Sequence, residues 1–405
     1  MNWQRKKLGE ICEENIKSPF KVENATNTGE YPFFTSGDNI LTHEEYLVDG
    51  ENIFLATGGY ANVKYFKGKA SYSADTWSLK VKNASTKYVF YQIFEKLKYI
   101  DEVLFRGSGL RHLQKKEFLN FEIPVPPLPV QQKIVKILDT IQSAVEVQEK
   151  IIEKTKELKK ALMNLLFHYG LSGLRIKELA GLRVDELTSS EIKKFGLKLK
   201  KTEIGEIPEH WEVVRLGEVA VEIIYGISKK AGKYGKYPIL GMNNLQDGKI
   251  NYQEVRYVDL DSGTFEKFKV EKGDILFNRT NSLELVGKTA LFNLEGDFVF
   301  ASYLLRIKAL LSKLWPHYLN YYLNFESTQQ ALKTIAYRGA SQVNISASRL
   351  ANFRLPLPPL SEQREIAEIL QMIDQKIEIE KKKKELYYEL FKTLLNKIMN
   401  QEIDI

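Results

Sequence analysis

Gly287, Lys288 and Thr289 spell the close of a phosphate-binding loop, in which backbone amides curl round a phosphate and the lysine reaches its oxygens. That chemistry needs a glycine five positions before Gly287, where this chain has Ser282, so the run reads instead as a turn entering a strand. Gly107-Ser108-Gly109 lacks the third glycine of a dinucleotide fingerprint. The five histidines, His43, His112, His168, His210 and His317, show no metal-ligand spacing. Neither Pro-Pro pair follows an asparagine, as an amino-methylation motif requires: one follows Val125 and the other Leu357. No Pro-Asp dipeptide opens a nuclease motif. Hydrogen-bonding residues abound, but each of these constellations is incomplete.

What positions them is a duplication. Phe121, Pro124, Pro126, Pro127, Leu128, Gln131, Ile134, Ile137 and Leu138 recur 232 residues later as Phe353, Pro356, Pro358, Pro359, Leu360, Gln363, Ile366, Ile369 and Leu370. Arg106, Gly107 and Asn120 match Arg338, Gly339 and Asn352 at the same offset, and Tyr88 and Tyr91 match Tyr318 and Tyr321 at 230. Upstream the register drifts. Trp3, Leu8, Gly9 and Glu10 match Trp211, Leu216, Gly217 and Glu218 at 208, Tyr31 and Pro32 match Tyr237 and Pro238 at 206, and Gly50, Ile53 and Thr57 match Gly273, Leu276 and Thr280 at 223. The period is far too long for a solenoid. It implies two copies of one globular unit, each closed by a helix, with side chains that have diverged on a kept framework.

The helices carry the clearest pattern. Ile366, Leu370, Ile373, Ile377, Tyr387, Phe391, Leu394 and Ile398 step by three and four, with Glu380 and Lys384 at two seam positions; Ile134, Leu138, Ile141, Val145, Ile152, Leu162 and Leu166 do the same in the first copy. The proline clusters mark the helix starts, and Ser361 with Glu362 in the first turn offers a cap for the second. About 38 residues at ~1.5 Å each give a rod of roughly 57 Å, longer than the ~34 Å of one DNA turn. Such a rod alone reads as a dimerisation element. Two of them in one chain pack most economically against each other, antiparallel, as a ruler between the units. Short β-branched and aromatic runs, Glu51 to Ala56, Trp77 to Val81, Asp274 to Asn278 and Phe298 to Ile307, alternate with helical stretches at Tyr88 to Leu97 and Trp315 to Asn324, so each unit reads as mixed α/β.

Composition sets the outer bounds. A chain of 405 residues, 43% hydrophobic and 27% charged, can bury a core in each of two domains. The single cysteine, Cys12, forms neither an intrachain disulfide nor a thiolate cluster, which fits a reducing cytoplasm. No apolar run approaches the ~18 residues of a membrane span, and Met1 to Lys7 lacks a signal-peptide core. Net charge is +7, with +1 on residues 1–129 and +5 on residues 211–360. A modestly basic chain suits a polyanion, because neutralising phosphates releases condensed counterions.

The W-x4-L-G-E openings, the run G-E-I-P-E-H-W from Gly205 to Trp211, the Arg-Gly turns at Arg106 and Arg338 and the doubled P-x-P-P-L-x-x-Q together resemble the specificity subunit of type I restriction-modification systems. The resemblance covers essentially the whole chain. It implies an α+β chain: two mixed α/β target recognition domains separated by two long antiparallel coiled-coil helices in a pseudo-twofold arrangement. The expected boundaries are 1–128 and 208–355 for the recognition domains, 129–207 for the first helical region with its linker, and 356–405 for the second. It also implies a non-catalytic, cytoplasmic subunit with no membrane attachment. Its partners would be double-stranded DNA, two methyltransferase subunits and restriction subunits, with S-adenosylmethionine, ATP and magnesium carried by those partners. One feature departs from a tandem repeat. The linker from His168 to Glu209 has no counterpart before Trp3, so the symmetry is circular and the N-terminal segment is expected to meet the C-terminal helix.

Major-groove reading then needs paired hydrogen bonds, chiefly from Arg or Lys to guanine and from Asn or Gln to adenine. In the first unit the candidates are Thr57, Gly58, Gly59, Tyr60, Asn62 and Lys64, with Arg106, Ser108, Arg111, His112 and Gln114. In the second they are Asn278, Arg279, Thr280 and Asn281, with Arg338, Ser341, Gln342 and Asn344. The two sets differ in type, which implies unlike half-sites. Lys229, Lys230, Lys233 and Lys236 suit phosphates. Taken singly, each loop also fits an ordinary solvated turn, and each Arg-Gly turn fits an arginine bracing a loop beside a glycine at positive φ. Gln131 and Gln363 suit a partner contact or a helix cap better than base reading. Two other classes remain open: a stand-alone DNA-modifying enzyme, which would act without partners, and a coiled-coil scaffold, which would show no DNA sequence preference.

Overall fold

Gly9 and Gly217 show why the doubled L-G-E was kept. A Cβ on Gly9 would lie 3.2 Å from the carbonyl oxygen of Leu119, and one on Gly217 would lie 3.2 Å from the Ala351 Cβ. Each glycine lets its backbone settle against a short helix, Lys115–Leu119 in one unit and Ala347–Ala351 in the other. The computed structural model describes residues 3–180, 196–338 and 342–403. The chain divides into Met1–Ile151 with Glu380–Ile405, and Ile152–Ile379.

In the first unit, strand Gln4–Lys7 pairs antiparallel with Glu122–Val125. A four-stranded antiparallel sheet follows in the order Cys12–Glu14, Thr76–Val81, Glu51–Ala56, Val63–Lys67. Tyr31–Phe34 pairs antiparallel with Ile40–His43 and parallel with Ser71–Tyr72. Helix Thr86–Glu95 is capped by the Ser85 hydroxyl, which accepts from the Tyr88 amide. The second unit repeats this topology. Glu212–Arg215 pairs with Arg354–Leu357, Tyr237–Leu240 lies between antiparallel Arg256–Val258 and parallel Val299–Phe300, and Ala220–Tyr225, Leu304–Ala309, Ile275–Asn278 and Thr289–Leu291 form consecutive strands of a six-stranded sheet. Gly248–Ile250 and Leu245–Gln246 extend that sheet. The Phe298–Ile307 run is not one strand: the chain turns after Phe300 and re-enters at Leu304.

The first long helix is Leu128–Ala180 and the second Leu360–Met399. The first therefore extends well into the expected linker, breaking at Gly170, whose φ of 62° and ψ of −160° are not helical. Ser361 lies inside the second helix rather than capping it. Glu362 instead accepts from the Trp211 indole at 3.0 Å and the Leu171 amide at 3.1 Å, and pairs with His210 at 2.9 Å. Further along the same expected linker, Leu199–Thr202 and Gly205–Pro208 form a hairpin.

Within each unit, parts of the two helices run antiparallel. In the first, Ile134 and Leu138 share a core with Phe391, Leu395 and Ile398, while further along Gln148 donates to Glu380 and Glu149 pairs with Lys384 at 2.5 Å. In the second, Lys159 meets Asp374 at 2.6 Å and Leu171 meets Glu362. As expected, the N-terminal segment and the C-terminal helix contribute to one core. Trp3 packs on the core that holds Ile398, and Lys96 donates to Asn400 at 3.0 Å.

The repeated framework residues join globular part to helix in both units. Gln131 accepts from the Ser85 amide at 2.8 Å and donates to Pro126 O at 2.7 Å; Gln363 accepts from the Trp315 amide at 2.8 Å and donates to Pro358 O at 2.8 Å and Lys313 O at 2.9 Å. Tyr88 and Tyr318 donate to Pro124 O and Pro356 O. Tyr91 and Tyr321 donate to Asp139 and Asp374, and burial followed by the neighbouring carboxylate pushes both phenols well above their usual range. Gln131 and Gln363 are 2% and 0% exposed, and each satisfies backbone groups at the helix starts of its own unit, which fits the helix-cap alternative and not the partner contact.

Candidate nucleic-acid interface

In the first unit the two nominated loops come together. The carbonyl of Thr57 accepts from the Leu113 amide at 3.0 Å, the Gly59 amide donates to Arg111 O at 2.9 Å, and Gly58 bridges His112. Gly59 takes a φ of 86°, a conformation that favours glycine. Asp101 holds both loops at once: its carboxylate accepts from the Ala61 amide at 2.7 Å and from the Arg111 guanidinium at 3.1 Å.

Several polar side chains there are engaged internally. Arg106 forms a forked pair with Glu117 at 2.8 and 2.9 Å and also donates to Val103 O. Lys64 donates to the carbonyls of Thr35 and Gly37, and burial lowers its pKa. Asn62 donates to Asp38 at 3.0 Å, the Thr57 hydroxyl to Asp75 O at 2.7 Å and Gln114 to His112 O at 3.1 Å. Tyr60, Ser108 and His112 are exposed, with Leu110 65% exposed beside them.

The second unit assembles its loops as strands. Thr280–Asn281 pairs with Val343–Asn344, which pairs with Tyr337–Arg338, and the Asn344 side-chain Nδ2 donates to the Thr280 hydroxyl at 3.1 Å. The Arg279 guanidinium lies 4.9 Å from the Tyr225 ring centroid and donates to Ser302 O at 3.1 Å. Asn281 donates to the Met242 sulfur at 3.2 Å and Gln342 is exposed. Asn278 is 1% exposed and bonds Leu285 O, so it supports the turn leading to Gly287. The backbone of Arg338 lies in its strand, while Gly339 and Ser341 fall outside the described residues. Lys229, Lys230, Lys233 and Lys236 occupy a separate exposed connection.

Asp101, Tyr225, Tyr303 and Tyr337 belong to these surfaces and were not among the expected residues. Tyr225 ends strand Ala220–Tyr225, but its ring partner Arg279 lies 54 residues away, and no local pattern announces such a pair. Among the described residues no group of three or more His, Cys, Asp or Glu is placed to hold a metal, and no helix is long and apolar enough to cross a membrane. Burial pushes the Cys12 thiol up to about 12, which keeps it protonated at neutral pH.

Residues 1–157 and 208–386 match the family described as the Type I restriction modification DNA specificity domain. This chain belongs to that family. Two specificity domains thus occupy one chain, in agreement with the two folded copies. The chain is 28% identical over 437 residues to the Type I restriction enzyme MjaVIII specificity subunit of Methanocaldococcus jannaschii, covering 100% of this chain and 93% of that protein. It is 23% identical over 275 residues to the Type I restriction enzyme EcoKI specificity subunit of Escherichia coli K12, covering 66% of this chain and 53% of the relative. The type I S subunit from M. genitalium shares the fold, with a TM-score of 0.61 at 16% identity over 100% of this chain and 97% of that one. The duplicated α+β architecture is that of a specificity subunit.

Proposed function

We propose that this specificity subunit is the non-catalytic reader of a type I restriction-modification complex. Each globular unit reads one half of an asymmetric, bipartite DNA target, and the long helices set the number of base pairs between the halves. The observation that carries this reading is one topology built twice with unlike loops at equivalent positions. Tyr60, Ser108 and His112 stand beside the Thr57–Leu113 junction of the first unit, where the second presents Asn281, Gln342 and Asn344. A duplicated scaffold with diverged loops suits two different half-sites, because groove edges are distinguished by side-chain type.

Modification and restriction subunits dock on this chain and supply the chemistry; S-adenosylmethionine, ATP and magnesium belong to them, and the assembly works on cytoplasmic double-stranded DNA. The test is a genome-wide map of methylated adenines in cells with and without the gene, partner methyltransferase present. The expected result is a two-part motif with a constant gap that disappears with the gene. Methylation that persists without the gene, or a single continuous motif, contradicts the reading.

A further inference from the structure

The connection from strand Ala220–Tyr225 to strand Tyr237–Leu240 differs sharply in charge from its counterpart. Residues 226–236 carry four lysines and no acid, whereas residues 15–30, the equivalent connection of the first unit, carry two lysines and two glutamates. Lys21 there already lies 3.4 Å from Glu23.

The lysine-rich connection has a defined conformation. Gly232 and Tyr257 exchange amide-to-carbonyl hydrogen bonds of 2.9 Å, the Lys236 amide donates to the Asp259 carboxylate at 2.8 Å, and the Lys229 ammonium donates to Asp259 O at 2.6 Å. Gly235 lets it lie close to its neighbour, since a Cβ there would sit 2.8 Å from the Val258 nitrogen. Lys230, Lys233 and Arg256 are exposed and, among the described residues, have no acidic side chain paired to them; Tyr234 is 90% exposed. The segment also starts at the reading surface. The Ser302 amide donates to Ile227 O at 2.9 Å, and Ser302 O receives the Arg279 guanidinium that stacks on Tyr225.

We propose that residues 226–236 form a clamp on the DNA phosphate backbone that the second unit has and the first lacks, so that the two half-sites are held by unequal electrostatic contributions. This rests on the chain being a DNA reader and adds which unit grips the backbone and through which charges. Ammonium groups act on phosphate oxygens as point charges and carry no base preference. Each phosphate neutralised on B-DNA steepens the dependence of log affinity on log salt by about 0.9.

The experiment uses the full chain in complex with its methyltransferase subunits, a duplex carrying the mapped motif and a scrambled duplex, titrated across roughly 50 to 200 mM salt. K230Q/K233Q is expected to reduce the salt slope by about 1.8 while leaving the preference for motif over scrambled duplex intact. K17Q/K21Q, the matching change in the first unit, is expected to reduce it by less than about half that amount. Retained preference shows that each variant is folded. An unchanged slope in K230Q/K233Q, or an equal fall in both variants, overturns the clamp while the reading of function stands. A wild-type complex that binds both duplexes alike overturns the reading of function and the clamp with it.

Discussion

Gln363 shows how much one buried amide can hold in place. It accepts from Trp315 and donates to Lys313 and Pro358, so truncation would strand three backbone groups where water cannot replace them. We expect Gln363→Ala to lower unfolding free energy by about 3 kcal/mol, since each unsatisfied buried group costs roughly 1–3 kcal/mol and some relaxation follows. Denaturant unfolding of the full chain checks this, and a change below about 0.5 kcal/mol, typical of surface substitutions, would contradict the role. The recurrence of this glutamine was visible in the sequence; its task was not. The partners of Gln363 lie 5, 48 and 50 residues away, and only the fold brings Trp315 and Lys313 to its amide. The partners of the arginines were hidden for a related reason. Arg106 and Arg111 have the chemistry to read guanine, and they also pair with Glu117 and Asp101 of the first unit, 11 and 10 residues away.

At the scale of elements, the break at Gly170 brings the first long helix against Glu362 of the second and against Trp211. A Cβ there would collide with the Glu362 carboxylate and lie 2.8 Å from the Trp211 ring, and φ is already 62°. Gly170→Ala is therefore expected to cost about 2 kcal/mol through positive φ and the clash together. Thermal unfolding of the variant and of Gly263→Ala, a control inside helix Ser262–Phe268 where an added Cβ would meet nothing closer than the Asp261 carboxylate at 3.4 Å, separates this position from a general glycine effect. Equal midpoints for the two variants would argue against it. The long helices were legible because their apolar period runs for many turns, while the extension past Leu166 was not, because Gly170 ends that period. The strand pairings of each unit were legible only as short β-prone runs. Which run pairs with which depends on contacts more than a hundred residues apart, such as Gln4 with Val125 and Glu212 with Leu357.

At the scale of the whole molecule, the repeat in sequence is a repeat in topology, and the loops between the repeated strands are where the two units part. The framework was readable from spacing alone, since Leu-Gly, Tyr and Pro-Pro-Leu-x-x-Gln serve the same contacts twice. The surfaces were readable only by residue type. Exposed side chains carry no packing period, so Tyr60, His112 and Gln342 could be nominated but not separated from Lys64 or Asn278, which turn inward. If each unit reads independently, exchanging one should alter one half of the target. Replacing Trp3 to Leu128 with the corresponding unit of a relative, then mapping methylated adenines in cells that supply the partner methyltransferase, tests this most directly. The account predicts a motif with one half changed, the other half unchanged and the gap preserved; a map in which both halves change, or neither does, would contradict it.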